Sequence, residues 1–69
     1  MTALEKRIAK VTDHQNQVLM IRDQMMIQLE FCPAEAVDIV LGNIDKANRE
    51  LRRLARVRRG IEKQINEGE

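Results

Sequence analysis

The 69-residue chain is too short for more than one domain, and it lies below the size at which a single hydrophobic core is comfortably stable. Its length alone also excludes a large multilayer enzyme fold. Hydrophobic residues make up 43% of the chain and charged residues 33%, with a net charge of +1, which is typical of an amphipathic helical protein and not of a disordered chain. One aromatic residue, Phe31, and three glycines disfavour β-sheet folds, which need aromatic residues and frequent turns.

The first half of the chain predicts one helix over about residues 3–31. Thr2 is a suitable N-cap for it, and Glu5 completes a capping-box pattern. Apolar residues recur in alternate steps of three and four, the period of a left-handed coiled-coil seam, and the exceptions are Gln15 and Arg22. The seam positions of this helix are 4, 8, 11, 15, 18, 22, 25, 29 and 32.

Pro33 predicts a turn at about residues 31–34, because proline has no backbone N–H and disfavours helical conformation at the preceding residue, Cys32. Proline is well tolerated at the first position of a helix, so we expect Cys32 to be the N-cap of a second helix over about 34–66. The seam of this helix has a single polar residue, Arg58. Its positions are 37, 40, 44, 47, 51, 54, 58, 61 and 65.

The two seams together predict an all-α fold, an antiparallel two-helix coiled-coil hairpin that forms a single domain over residues 1–69. A turn at 31–34 would pair positions whose numbers add to about 65. The expected pairs are Leu4 with Ile61, Val11 with Leu54, Val18 with Ala47, and Met25 with Val40. The alternative architecture is a kinked continuous helix that dimerises.

Segment 18–31 is more apolar than one seam requires. Its seam residues are taken to be Val18, Ile21, Met25 and Leu29. The remaining apolar residues predict a partner-binding surface, formed by Leu19, Met20, Met26, Ile27 and Phe31.

These remaining residues lie on more than one side of the helix. Met20, Ile27 and Phe31 are spaced to share the side opposite the seam, and a helix that is apolar on both sides is buried on both sides. We therefore expect obligate association with a second copy or with another protein. The alternative is that these three residues cover the turn or fold against Ile39.

The charges are distributed unevenly along the chain. Residues 46–63 carry a net charge of +6, whereas residues 23–45 carry −5 and contain no lysine or arginine. The basic segment predicts a charge-steering stripe for phosphates or an acidic protein partner, or simply a solvated face. Without tyrosine or tryptophan to stack on bases, binding to single-stranded nucleic acid is weakly supported. The stripe consists of Arg49, Arg52, Arg53, Arg56 and Arg59.

The sequence offers no arrangement for catalysis or metal binding. His14 has no second histidine or cysteine near it in the pattern, and Cys32 reads as a small apolar residue that closes the turn. We expect no enzyme activity, no metal and no cofactor. A single cysteine, no signal peptide and no membrane-spanning run favour the cytoplasm.

The opening Met1-Thr2-Ala3-Leu4-Glu5, the Cys32-Pro33 turn and the two-helix plan resemble the small needle chaperones of bacterial type III secretion, the YscE/PscE/AscE family. The resemblance implies a cytoplasmic co-chaperone with a role in protein transport and virulence. It would form a heterotrimer with a tetratricopeptide-like chaperone and the needle subunit, which it keeps soluble and monomeric before export. The surplus apolar surface would also allow the chain to form a homodimer when it is alone.

Two other functions remain open at this stage. A homodimeric four-helix bundle could bind RNA through the arginine stripe, as the Rop type of plasmid-copy-number regulator does. The chain could also belong to a larger coiled-coil assembly. RNA binding should weaken steeply with salt, whereas chaperone binding should depend on apolar residues.

Overall fold

A computed structural model describes residues 2–68 as two antiparallel helices. Helix α1 spans Ala3–Phe31 and helix α2 spans Val37–Glu67, with a short 3-10 turn at Ala34–Ala36 between them. The described residues contain no strand, and the helices pack against each other along their length. The all-α hairpin is confirmed, and the kinked continuous helix is wrong. Met1 and Glu69, which the single-domain prediction includes, lie outside the described residues.

The start of α1 follows from its sequence. Thr2 is the N-cap, and its Oγ1 accepts a hydrogen bond from the backbone N–H of Glu5 at 3.1 Å. This bond satisfies one of the backbone donors that the first turn of a helix leaves without a partner. At the other end Cys32 closes α1, since its N–H donates to the carbonyl of Gln28 at 2.8 Å.

The prediction that Pro33 is the first residue of the second helix, with Cys32 as its N-cap, is wrong. Both residues have extended backbone, with ψ of 154° at Pro33 and 153° at Cys32. The carbonyl of Pro33 accepts the N–H of Ala36 at 2.9 Å, and this closes the 3-10 turn. The break between the helices therefore runs from Cys32 to Ala36, and α-helix resumes only at Val37.

The predicted seams are where the helices meet. Every seam position of both helices is buried or half-buried. Three of residues 2–68 are buried, Ala47, Leu54 and Ile61, and they are seven residues apart on α2, which is the heptad spacing of coiled-coil packing. Leu54 is the most deeply buried of them, at 4% exposure.

Side-chain contacts join the two helices along their length, and the four predicted residue pairs stay a prediction. Leu4 lines a recess with Ile65 at the open end of the hairpin, and Nε2 of His14 lies 3.8 Å from the carboxylate of Glu50. Farther along, Arg22 reaches Asn48 on α2.

The polar residues of the two seams find partners across the hairpin. Arg58 donates from Nη1 to Oε1 of Gln15 at 3.4 Å and from Nε to Glu62 at 3.0 Å. Arg22 donates from Nη1 to Oδ1 of Asn48 at 3.4 Å, while its Nε is buried without a partner among the described residues. Arg58 therefore joins the helices as well as interrupting the apolar seam.

Candidate partner-binding surface

The hairpin has two regions of different character. We define the turn half as residues 19–45 and the terminal half as residues 2–18 and 46–68. All three buried residues of the described chain lie in the terminal half, which also has one exposed large apolar residue, Val57. The turn half exposes seven, which are Met20, Ile21, Met26, Ile27, Phe31, Ile39 and Leu41.

The structure places four of the five predicted partner-binding residues at the surface. Phe31 is 80% exposed, Met20 65% and Ile27 60%, and Met26 is also exposed. Leu19 is half-buried beside the seam. Exposed apolar side chains of this size and number are typical of a surface that another molecule covers.

The alternative that these residues fold back against Ile39 is wrong. Ile39 itself is 68% exposed, and Phe31, which lies nearest the turn, is the more exposed of the two. The break from Cys32 to Ala36 separates the ends of the helices without covering either residue. Contacts within the chain therefore leave the apolar surface of the turn half unburied.

One predicted seam residue belongs to this surface instead. The sequence analysis predicts Ile21 in the seam, but this residue is 47% exposed, and the half-buried seam position is that of Arg22. Arg22 and Leu29 are seven residues apart, and this heptad spacing indicates that residue 22 is the seam position and that Ile21 lies outside the seam.

Sequence reasoning did not assign Ile39 and Leu41 to the surface. They are the neighbours of the seam residue Val40, and successive helical residues are rotated by about 100°. The two side chains therefore project on opposite sides of the seam of α2. With Met20, Ile27 and Phe31 on the outer side of α1, the turn half is apolar on three sides.

Acidic residues border this apolar surface. Glu30, Glu35 and Asp38 are exposed and form no ion pair with any residue between 2 and 68. The other two acidic residues of the turn half are paired, since Asp23 lies 3.4 Å from Arg22 and Asp45 pairs with Arg49. The end of the hairpin therefore carries uncompensated negative charge.

The predicted arginine stripe lies on the exposed surface of α2, but its members differ in their pairing. Arg49 is paired with Asp45, and Arg53 is paired with Glu50. Among the described residues the other three stripe arginines form no ion pair, and they are Arg52, Arg56 and Arg59.

Glu50 is the centre of a small charged cluster in the terminal half. Nε of Arg53 donates to Glu50 at 3.1 Å, and Nε2 of His14 on α1 lies 3.8 Å from the same carboxylate. The hydrogen bond from Arg53 lowers the pKa of Glu50 below its ordinary value of 4.5, and the same contact raises the pKa of Arg53. The cluster joins the two helices at the surface beside the seam.

Residues 2–68 contain no group of three or more potential metal ligands. His14 is exposed, and Cys32 donates from Sγ to the carbonyl of Leu29 at 3.6 Å. Within the same residues, neither helix has an apolar stretch that could cross a bilayer. Comparisons with models of protein families, with curated proteins and with solved structures found no match.

Proposed function

We propose that this chain is a cytoplasmic co-chaperone of bacterial type III secretion. Together with a tetratricopeptide-like partner chaperone it keeps the needle subunit soluble and monomeric before export, in a complex of the three proteins. The observation that supports this function best is the apolar surface of the turn half, in which Phe31, Met20 and Ile27 are at least 60% exposed. The sequence resemblance supplies the secretion system.

The mechanism is burial of apolar surface, without catalysis, metal or cofactor. Full burial of a fully exposed large apolar side chain contributes about 1.5–3 kcal/mol. Because Met20, Ile27 and Phe31 are 60–80% exposed, covering them would contribute roughly 3–6 kcal/mol before the costs of association. A partner that binds only the folded hairpin also stabilises it by mass action. The unpaired arginines of α2 orient the encounter through long-range attraction.

The proposal is tested by co-expressing the chain with the tetratricopeptide-like chaperone and the needle subunit of the same secretion locus. Size-exclusion chromatography with light scattering should show a complex that contains one copy of each protein. Met20→Asp combined with Ile27→Asp should abolish the complex, because two carboxylates would be buried without partners. Val57→Asp, at the one exposed large apolar residue of the terminal half, is the control and should leave the complex intact. Failure of the unmodified chain to bind either protein would overturn the proposal.

RNA binding is the second candidate, and the three unpaired stripe arginines favour it. Arg52, Arg56 and Arg59 are spaced at helical intervals, so they share one face that could contact successive phosphates. Duplex RNA binding in a filter assay should then fall steeply with salt and be lost in Arg52→Glu with Arg56→Glu. Binding that survives these substitutions would contradict it.

A further inference from the structure

We infer that the turn half enters a concave groove on a different protein, turn first, and that this groove has apolar walls and a basic rim. The inference rests on the proposed function and adds the chemistry of the partner site, the end of the hairpin that enters it, and the exclusion of a second copy as its occupant. Three observations on the turn half carry it: the distribution of apolar residues, the unpaired carboxylates, and the charge of the two halves.

The apolar residues require a partner that surrounds the hairpin. Phe31 and Ile27 lie on the outer side of α1, whereas Ile39 and Leu41 lie on opposite sides of the α2 seam. A flat helix or sheet would cover one of these sides and leave the others in water. A groove that receives the end of the hairpin covers all three, and it leaves the paired and polar terminal half outside.

The unpaired carboxylates determine that the rim of the partner's groove is positively charged. Glu30 lies next to Phe31, and Glu35 and Asp38 follow on the other side of the turn. All three are exposed, and each lacks an ion pair among the described residues. A partner that approaches this end must compensate these charges, since a carboxylate that loses water without a counter-ion is costly. Arginine or lysine around the mouth of the groove meets that requirement.

A second copy of the chain cannot supply both features. Two turn halves placed together would bring the three unpaired carboxylates of each copy, Glu30, Glu35 and Asp38, against each other. A full antiparallel overlap would satisfy the charges, because residues 46–63 carry +6, but it would lay the apolar turn half against the arginine-rich face. The apolar surface of the turn half therefore favours a different protein over a second copy as its binding partner.

The first test measures affinity for the tetratricopeptide-like chaperone of the same locus by isothermal titration calorimetry. Glu30→Gln with Glu35→Gln should weaken binding about tenfold at low salt and less at high salt, when rim charges are screened. Asp13→Asn with Glu67→Gln changes the net charge equally in the terminal half, and it should change affinity less than about twofold. A complex that forms but is equally insensitive to both double variants overturns the inference alone. Absence of any complex overturns the proposed function, and the inference with it.

The second test needs no partner. Sedimentation equilibrium should show the unmodified chain as a monomer at concentrations up to about 100 µM, a ceiling that corresponds to a weak self-association constant. The triple variant Glu30→Gln, Glu35→Gln, Asp38→Asn should self-associate at a concentration at least about tenfold lower, because the repulsion between turn halves is removed. A dimer of the unmodified chain that Ile27→Asp dissociates would overturn the inference, since a second copy would then occupy the surface.

Discussion

The turn half and the terminal half of the hairpin follow the same seam pattern, yet they bury their apolar residues differently. In the terminal half Ala47, Leu54 and Ile61 are buried, and the exposed positions are mostly polar. In the turn half no residue is buried among those described, and apolar side chains face water on three sides. The contrast indicates a division of labour, in which the terminal half holds the hairpin together and the turn half provides a surface for another molecule.

The two helices share this division unequally. Helix α2 keeps its apolar residues on one side along most of its length, as expected for a helix that packs against a single neighbour. Helix α1 is amphipathic only in its first part, and residues 18–31 are apolar on both sides. The apolar residues of α1 that lie outside the seam therefore form the region that a two-helix hairpin cannot bury by itself.

The largest expected effect is loss of the best-buried side chain of the terminal half. Leu54→Ala should lower the free energy of unfolding by about 2–3 kcal/mol, because it removes a side chain that is only 4% exposed and leaves a cavity. Urea unfolding followed by circular dichroism measures the change. Leu41→Ala, an exposed leucine of the turn half, is the matched control and should cost less than about 0.5 kcal/mol. Equal decreases in the free energy of unfolding for the two variants would contradict the difference in burial between the halves.

A smaller effect is expected at the boundary of the halves, where Arg22 occupies a seam position. Arg22→Met should raise the free energy of unfolding by about 1 kcal/mol, because the buried Nε has no partner among the described residues and the bond to Asn48 is long, at 3.4 Å. Thermal melts of the free chain give the result. A lower melting temperature would show that the contact with Asn48 outweighs the unpaired nitrogen.

Two glycines inside α2, one in each half, provide a further test of the difference between the halves. A Cβ atom at Gly42 or at Gly60 would meet no other atom within 4 Å, so Gly42→Ala and Gly60→Ala should each stabilise the free chain by about 0.5–1 kcal/mol. Gly42 lies in the turn half and Gly60 in the terminal half. If the turn half enters a groove, Gly42→Ala should also weaken the complex measured by calorimetry, whereas Gly60→Ala should leave it unchanged. A stabilised free chain with identical binding by both variants would argue against close approach at Gly42.

The smallest effect concerns the pH dependence of the terminal half. The hydrogen bond from Arg53 lowers the pKa of Glu50 in the folded chain, so this carboxylate stabilises the fold above its ordinary pKa of 4.5. That contribution is lost as the pH falls through the lowered value in the folded state. Thermal melts of Glu50→Gln should therefore show a shallower fall in melting temperature below pH 4.5 than the unmodified chain. Parallel profiles for the two proteins would mean that the pair with Arg53 contributes nothing.

The sequence was sufficient to predict the hairpin, because the seam period repeats over both helices with few exceptions. The N-cap at Thr2 and the end of α1 at Phe31 were also predictable, since local capping and the proline decide them. The start of α2 was not. Pro33 is compatible both with the first position of a helix and with an extended residue before a 3-10 turn, and the structure has the second arrangement.

The candidate surface was predictable only in part. Met20, Ile27 and Phe31 stood out because they repeat on the side of α1 that the seam leaves free. Ile39 and Leu41 did not, since a residue beside a seam position is buried or exposed according to the width of the contact between the helices. That width depends on packing in three dimensions, and the sequence period does not report it.

The division of labour is tested most directly by amide hydrogen exchange with mass spectrometry, on the free chain and on its complex with the tetratricopeptide-like chaperone. In the free chain, amides of residues 47–61 should exchange more slowly than those of residues 20–42, because the buried part of the seam lies there. In the complex, the gain in protection should be concentrated in residues 20–42. Uniform protection of the free chain, or a gain confined to residues 46–63, would contradict the account.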